Sequence, residues 1–550
     1  MALSKEIYQE LEDVVGPRNA SNDPAILATY QFPLNVTSIH LGPFNSYTPR
    51  GGAVLLPGTV EEVQKIVKIC NKYKLKYKAS STFWGAMGYP SHDDAVQLDM
   101  RRMDRILEID KKNMFAVVEP YVIGVNLQAD AMKVGLNTHI IGAGGSCSPL
   151  ASATSYTGPG PDTISMGSGD ENLLGLEWVT PTGEIVRTGS LGAGSGWNCG
   201  EGPGPGIRSI IRGAMAARGA MGVYTKCAIK LYPWPGPTTL PVTGTVPAYQ
   251  VPPQKNIRAY TLAFPSWQAW ADSAHKLWDA GVGYIAHRQF NMFGRDIKFA
   301  MIKILTDPTK TLSDLEQLAK DPEIKKVNAE MEREYQIILA GMTPRDMEWQ
   351  EKALEQILEE TGGWKVKAMN DPAIEGWSLA YLIRLGHKNL NLVFAGGYEG
   401  AFGNFGPPDY GSSFVEEITD FKKKWEKKGA IVEAGGDCEM GGLGGMGGGA
   451  YVMWENFTCW DPHQKSSVEG AFDFFEASSK YGVSRGWGSG MERGNALCRG
   501  SDGKEFPKAK REEILGKSPM AQVLHYQQKV KEALNPNDLG DAHYMTLEKM

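Results

Sequence analysis

The chain has 550 residues and a mass of 60.1 kDa, more than one ordinary core organises, so two to four domains or one large composite unit are expected. A net charge of −6 with 42% hydrophobic and 22% charged residues excludes a disordered chain and argues against nucleic acid as the principal partner. Glycine is the anomaly: its 65 copies follow no fixed period, which excludes a collagen-like fibre, and they are clustered.

In chain order, Ser4 to Val15 reads as an amphipathic helix. Val54-Leu55-Leu56-Pro57 is a short strand ending at proline. Thr59-x-x-Glu62 is a capping box, and Val63, Ile66, Val67 and Cys70 follow at helical spacing. Lys76–Ala79, Ala95–Asp99, Ile106–Asp110 and Phe115–Glu119 are strands, residues 127–135 are helical, and 177–180 with 184–188 form a hairpin about Pro181-Thr182-Gly183. The proline-rich stretch 231–237 marks a boundary. Beyond it, helical patterns at 266–280, 312–337, 344–361 and 413–428 alternate with strand-like segments such as Asn391–Ala395. The lysines at 422–424, 427 and 428 read as a solvated helix face. The class is α+β.

Familiar chemistries are missing. There is no G-x-S-x-G elbow and no H-E-x-x-H, and the nine histidines lack paired metal spacing. The literal G-x-G-x-x-G at 442–447 opens no helical pattern. Seven scattered cysteines form no C-x-x-C, which suits a reducing compartment. The N-terminal segment is polar and no run of 18 apolar residues occurs, so a cytoplasmic protein without a membrane span is expected.

Two zones hold the glycine excess: 142–222, with 20, and 435–449, with nine in fifteen. The second reads either as a flexible surface loop that may close over a pocket mouth or as backbone lying against a flat ligand or another chain segment.

Seven segments in register carry a resemblance: P-G-T-V-E-E-V (57–63), K-A-S-S-T-F-W-G-A-M-G-Y-P (78–90), L-D-M-R-R-M-D-R-I-L-E-I-D (98–110), A-V-V-E-P-Y-V (116–122), G-A-G-G-S (142–146), G-L-E-W-V-T-P-T-G-E-I-V (175–186) and G-A-M-G-V-Y-T-K (219–226). Together they resemble the FAD-binding domain of the vanillyl-alcohol oxidase / p-cresol methylhydroxylase superfamily, and residues 477–488 with the final Asn-Pro-Asn are more faintly similar to its end. The resemblance implies an FAD domain at 1–237 (core about 50–237), a substrate or cap domain at 238–490 and a return to the FAD domain at 491–550. It implies FAD held by Ser80, Ser81, Thr82, Phe83, Trp84, Gly85, Pro120, Gly144, Gly145, Ser146, Ser148, Glu177, Gly222, Val223 and Thr225. Chemically, a turn of small hydroxyl residues at 80–85 can present convergent N–H groups to a pyrophosphate. Gly144, Gly145, Ser146 and Gly222 would leave room beside a flat ring.

The departures are informative. Where relatives tether FAD through histidine, this chain has Phe83-Trp84 and, ahead of 451–458, glycines. Non-covalent FAD is therefore expected. Cys147 is either a thioether donor or a small packing residue. His139 is either the base that takes a substrate hydroxyl proton or a core histidine bonded to backbone. Arg493 either pairs with a substrate anion or lies on the surface. Trp84 and Trp487 supply an aromatic wall, with Met491 beside them.

The expected activity is hydride transfer from an aromatic or benzylic alcohol, or an alkylphenol-like molecule, to flavin N5, with oxygen or an acceptor protein reoxidising the flavin. The alternatives are a 2-hydroxy-acid dehydrogenase serving an electron-transfer flavoprotein, and a non-catalytic flavin-binding relay subunit. A homodimer or higher assembly is expected.

Overall fold

The computed structural model describes residues 3–31, 50–83, 88–90, 92–142, 144–154, 158–194, 196–197, 219–245, 248–288, 296–384, 397–431, 439–446, 449–461, 464–485 and 521–541. The expected strand Asn391–Ala395 lies outside them, as do Trp84, Gly85, Trp487, Met491 and Arg493.

The first unit has two lobes. In the first, β1 (Ala20–Ser21), β2 (Ala53–Leu55), β3 (Tyr77–Ser80) and β4 (Val96–Asp99) form a sheet of order β1-β2-β4-β3, with β2 and β3 both parallel to β4. The crossover from β2 to β3 is the helix Val60–Tyr73. Its N-cap forms as the sequence suggests, with the Thr59 hydroxyl accepting from Glu62 N at 3.1 Å. The box does not close on itself, because the Glu62 carboxylate accepts from Gly58 N at 2.7 Å. Val63, Ile66, Val67 and Cys70 are wholly buried against Leu55, Val96 and Leu98.

The second lobe holds β5 (Ile106–Asp110), β6 (Phe115–Val118), the short β7 (Leu136–Asn137), β8 (Leu173–Val179), β9 (Ile185–Arg187) and β10 (Val223–Lys230). Its antiparallel sheet has the order β5-β6-β10-β8-β9, and β7 pairs with β11 (Tyr232–Pro233). Val118, Leu176 and Cys227 alternate inward onto Leu127 and Ala131 of the helix Gly124–Lys133. The lobes share a seam: Val179 and Val223 leave the second sheet to join the core of the first.

The second unit is built on β12 (Ile257–Ala263), β13 (Ile285–His287), β14 (Glu334–Ala340) and β15 (Trp364–Lys365), ordered β13-β14-β12-β15. Side chains alternate along β14. Tyr335, Ile337 and Leu339 face Trp270, Leu354 and Phe414; Ile338 and Ala340 face Phe299, Ile302 and Trp377. The helical pattern read over 312–337 holds, in short pieces, as far as Arg333 and fails from Glu334. Asp321-Pro322 splits it into helices Leu315–Lys320 and Pro322–Glu330, and the apolar run from Glu334 is a buried strand. Short apolar runs carry no period that separates the two states.

β16 (Gly397–Gly406), β17 (Glu439–Met446) and β18 (Gly449–Trp460) make a third sheet with β18 at its centre. Within the glycine tract, residues 439–446 are therefore a strand and not a surface loop. Gly444 shows why glycine is required there: a Cβ would lie 2.8 Å from Thr163 O and strike the Thr163 side chain. The solvated lysine face is corrected at one position: Lys422 is fully buried, its ammonium 3.9 Å from Glu426. The chain then returns to the first lobe. Tyr77 N donates to Leu539 O at 2.9 Å and Asp541 N to Tyr77 O at 2.8 Å, which adds residues 539–541 to the edge of β3.

Gly444→Ala is expected to lower the urea midpoint of unfolding by about 1–3 kcal/mol of stability, because a backbone carbonyl opposes the new methyl group. An unchanged midpoint would show that β17 and Thr163 separate without cost.

Candidate functional site

β3 ends in a tight turn. The half-buried Ser81 and Thr82 hydroxyls have no hydrogen-bond partner among the described residues, and Phe83 sits at φ +58°, reversing the chain. Phe83 is held between Tyr30 and Tyr89, with ring centroids at 5.5 and 5.3 Å. Tyr30 donates to Asp99 at 2.8 Å; burial and that carboxylate push its phenol pKa well up, so it stays protonated. Ser80 is committed to the protein, donating to Gly88 O and accepting from Gln97 at 3.1 Å. The donor set left for an anion is thus Ser81, Thr82 and the turn backbone.

The loop 142–148 sits on the start of the helix Gly124–Lys133. Gly145 O and Cys147 O accept from Val125 N and Gly124 N, both at 2.9 Å. Gly145 is glycine because a Cβ would meet Arg384 O at 2.8 Å and Val125; Gly222, at φ +88°, because one would meet Pro181 N at 2.9 Å. Backbone crossings therefore account for these two glycines, where clearance beside a flat ring was expected. Gly144 has φ +119° and Ser146 is exposed. Ser148 is buried, its hydroxyl accepting from Ala151 N at 3.2 Å. Pro120 is buried just past the end of β6, and Cys147 is buried and in no disulfide among the described residues.

On β10 the side chain of Val223 belongs to the core. Thr225 is a bulge residue: Tyr224 pairs with Trp178 and Lys226 with Glu177, leaving Thr225 without a cross-strand partner in register. Its backbone groups suit a ligand better than its hydroxyl, which donates to Glu177 at 3.0 Å. Glu177, expected among the cofactor contacts, is engaged within the sheet. Arg187 at 3.0 Å and Lys226 at 3.1 Å hold its buried carboxylate on the sheet face turned away from the helix Gly124–Lys133, beside a cavity of about 300 Å³.

His139 is engaged on both nitrogens. Nδ1 lies 2.5 Å from Asp162 Oδ1 and Nε2 lies 2.8 Å from Gly158 O, while Asp162 Oδ2 accepts from Ile140 N at 2.8 Å. Both ring partners are acceptors, so only the doubly protonated imidazolium satisfies them. Burial alone would depress its pKa; the Asp162 carboxylate and Gly158 carbonyl outweigh that and hold it above the ordinary histidine value. A base needs a free lone pair, so this geometry argues against His139 as proton acceptor and makes it a crosslink.

The crosslink lies where the two units meet. Ala286 N on β13 donates to Pro161 O at 2.9 Å, Ser165 donates to Tyr284 O at 2.8 Å, and Asn137 donates to the Tyr284 hydroxyl at 2.9 Å. Just past β13 lies a buried polar group that the sequence did not single out. Glu334 accepts from Gln336 at 2.5 Å and lies 3.9 Å from Arg288, whose guanidinium stands over the Trp267 ring at 5.1 Å. Burial pushes the Glu334 carboxyl pKa up against the pull of Arg288 and Lys298. Nothing in the local sequence marks these residues or Asp162, because their partners are brought in by the fold. Among the described residues no cluster of three His, Cys, Asp or Glu side chains could hold a metal, and no helix is long and apolar enough to cross a membrane.

Residues 52–189 match the family described as FAD binding domain. An FAD-linked oxidoreductase of Mycobacterium tuberculosis is 26% identical over 231 residues, 42% of this chain and 46% of that protein. A glycolate oxidase subunit of Bacillus subtilis is 24% identical over 237 residues, again 42% and 46%. The match thus spans about half the length of these curated relatives. In solved structures, p-cresol methylhydroxylase with substrate bound superposes with a TM-score of 0.69 at 16% identity, covering 99% of this chain and 98% of that one. The first unit is an FAD-binding domain, and the whole has the two-unit fold of that group. Along its whole length the chain therefore shares the fold of p-cresol methylhydroxylase.

Since a raised histidine pKa stabilises the fold below about pH 6.5 and that contribution is lost as pH rises through the folded value, unfolding free energy should fall with pH above about 6.5. Asp162→Asn should cost about 3–5 kcal/mol at pH 6 and flatten that dependence. Urea titrations of both proteins from pH 6 to 9 check this; parallel profiles would contradict the crosslink.

Proposed function

We propose that the protein is an FAD-dependent oxidoreductase that oxidises a small aromatic or benzylic alcohol, or an alkylphenol-like molecule, by two electrons. The observation that carries the reading is the turn after β3, where Ser81 and Thr82 hydroxyls without a hydrogen-bond partner among the described residues and a left-handed Phe83 lie inside an FAD-binding domain. When bound, FAD supplies the hydride acceptor at N5. Ser81, Thr82 and the turn backbone would bind the pyrophosphate as donors, and the bulged Thr225 backbone offers further groups. The loop 142–148, fixed by Gly124 and Val125, would support the ring.

His139 orients rather than abstracts: with Asp162 it fixes residues 158–166, against which β13 and β17 are placed. The substrate hydroxyl proton passes instead to another group or to water, and the substrate carbon loses the hydride. Trp84, Trp487 and Arg493 are proposed to form the aromatic wall and anion contact. Oxygen or an acceptor protein takes the electrons. A 2-hydroxy acid is the second reading, favoured by the kinship with a glycolate oxidase subunit.

The FAD is proposed to be non-covalent, since Phe83-Trp84 and glycines stand where a histidine tether would be sought. Acid precipitation should leave a colourless pellet and a yellow supernatant; a yellow pellet would contradict this. Anaerobic addition of phenols, benzylic alcohols and hydroxy acids should bleach the flavin absorbance with one class. A flavin spectrum that none of them bleaches would favour an electron-relay subunit.

A further inference from the structure

The flanks of the turn that follows β3 are contacted by residues 539–541. Residues 535–541 lie between the two lobes of the FAD-binding unit. Asn535 caps the segment, its side-chain oxygen accepting from Leu539 N at 3.0 Å. Tyr77 N and O bond to Leu539 and Asp541, so the segment continues the first sheet beyond β3. On the other side Gly540 approaches Gly219 so closely that a Cβ would lie 2.7 Å from Gly219 O.

Asp541 touches both ends of the turn. Its carbonyl accepts from Lys78, a wholly buried ammonium on β3 just before the turn. Its carboxylate, also fully buried, lies 3.0 Å from Nδ1 of His92, just after it. Entry and exit of residues 80–90 are thus held by one residue more than 400 positions away in sequence. An anion nest works only if its N–H groups converge before the ligand arrives, because ordering them on binding would cost affinity.

We infer that Asp541, acting through His92 and Lys78, is a positioning residue for FAD: it fixes the two flanks of the turn that carries Ser81 and Thr82 and thereby sets how tightly the cofactor is retained. The inference rests on the reading of that turn as the pyrophosphate site. Asp541 itself acts on the protein, through contacts with both flanks of the turn.

The test uses the full-length holoprotein. FAD release after dilution is followed by flavin fluorescence, and amide exchange is measured across residues 80–92. His92 is 38% exposed, so its substitution leaves the core intact. His92→Ala should speed exchange in the turn and weaken FAD retention about tenfold, the loss expected for one charge-assisted hydrogen bond. His92→Gln, which still donates to Asp541, should restore most of it. Asp541→Asn should match His92→Ala, and the double variant should be no worse than either.

Ser81→Asp separates the two levels of the argument by placing a carboxylate in the turn. If it abolishes FAD binding while His92→Ala retains FAD within twofold of the unaltered protein, the turn is the phosphate site and the positioning role is overturned. If Ser81→Asp binds FAD normally, the reading of the turn falls and the inference with it.

Discussion

The joint between the two units depends on one buried ion pair. The His139 imidazolium and the Asp162 carboxylate join the strand-like stretch 137–141 to the segment 158–166, and that segment is the platform for the second unit. Pro161 accepts a backbone hydrogen bond from β13, Ser165 bonds to Tyr284, and Thr163 packs against Gly444 of β17. Two units that must keep a fixed relation need a joint with little play, because misplacement of about 1 Å between reacting groups costs rate steeply. A buried charge pair whose remaining carboxylate oxygen is satisfied by Ile140 N provides that rigidity.

Three of the glycines share one physical task. At Gly145, Gly222 and Gly444 the missing Cβ lets one stretch of backbone cross another, and each crossing lies at a seam between lobes or units. Irregular backbone at Phe83 and Thr225 is a separate feature, set by a left-handed turn residue and by a β-bulge.

Much of the first unit was legible because its signals are local. The Thr59 cap, the helical spacing of Val63 to Cys70 and the charged turns between short strands each specify structure within a dozen residues. The order of motifs from 57 to 226 also disclosed the cofactor. What stayed hidden depends on distant partners. His139 looked equally like a base or a core residue until Asp162 and Gly158 took both ring nitrogens. The Arg187 and Lys226 partners of Glu177 come from two neighbouring strands and were not visible in its local sequence. Lys422 kept its helical periodicity, but the packing of its helix against β16, β18 and the helix Trp267–Ala280 is not local in sequence. Glu334–Ala340 was misread because a buried strand and a buried helix segment share the same apolar run.

The edge of β3 is completed by residues 462 positions further along the chain, as the Lys76–Asp538 ion pair shows. At about 5–20 residues per second, the ribosome delivers that edge roughly half a minute to a minute and a half after β3 itself. Through that interval the nascent first lobe carries an unpaired strand edge bearing the buried-to-be Lys78 and Tyr77, and it must wait for the whole second unit to emerge. An open edge of this kind invites pairing with other nascent chains. Truncated or stalled products of this protein should therefore be prone to aggregation through their amino-terminal half, and its yield on expression should respond to translation speed more strongly than its final stability would suggest.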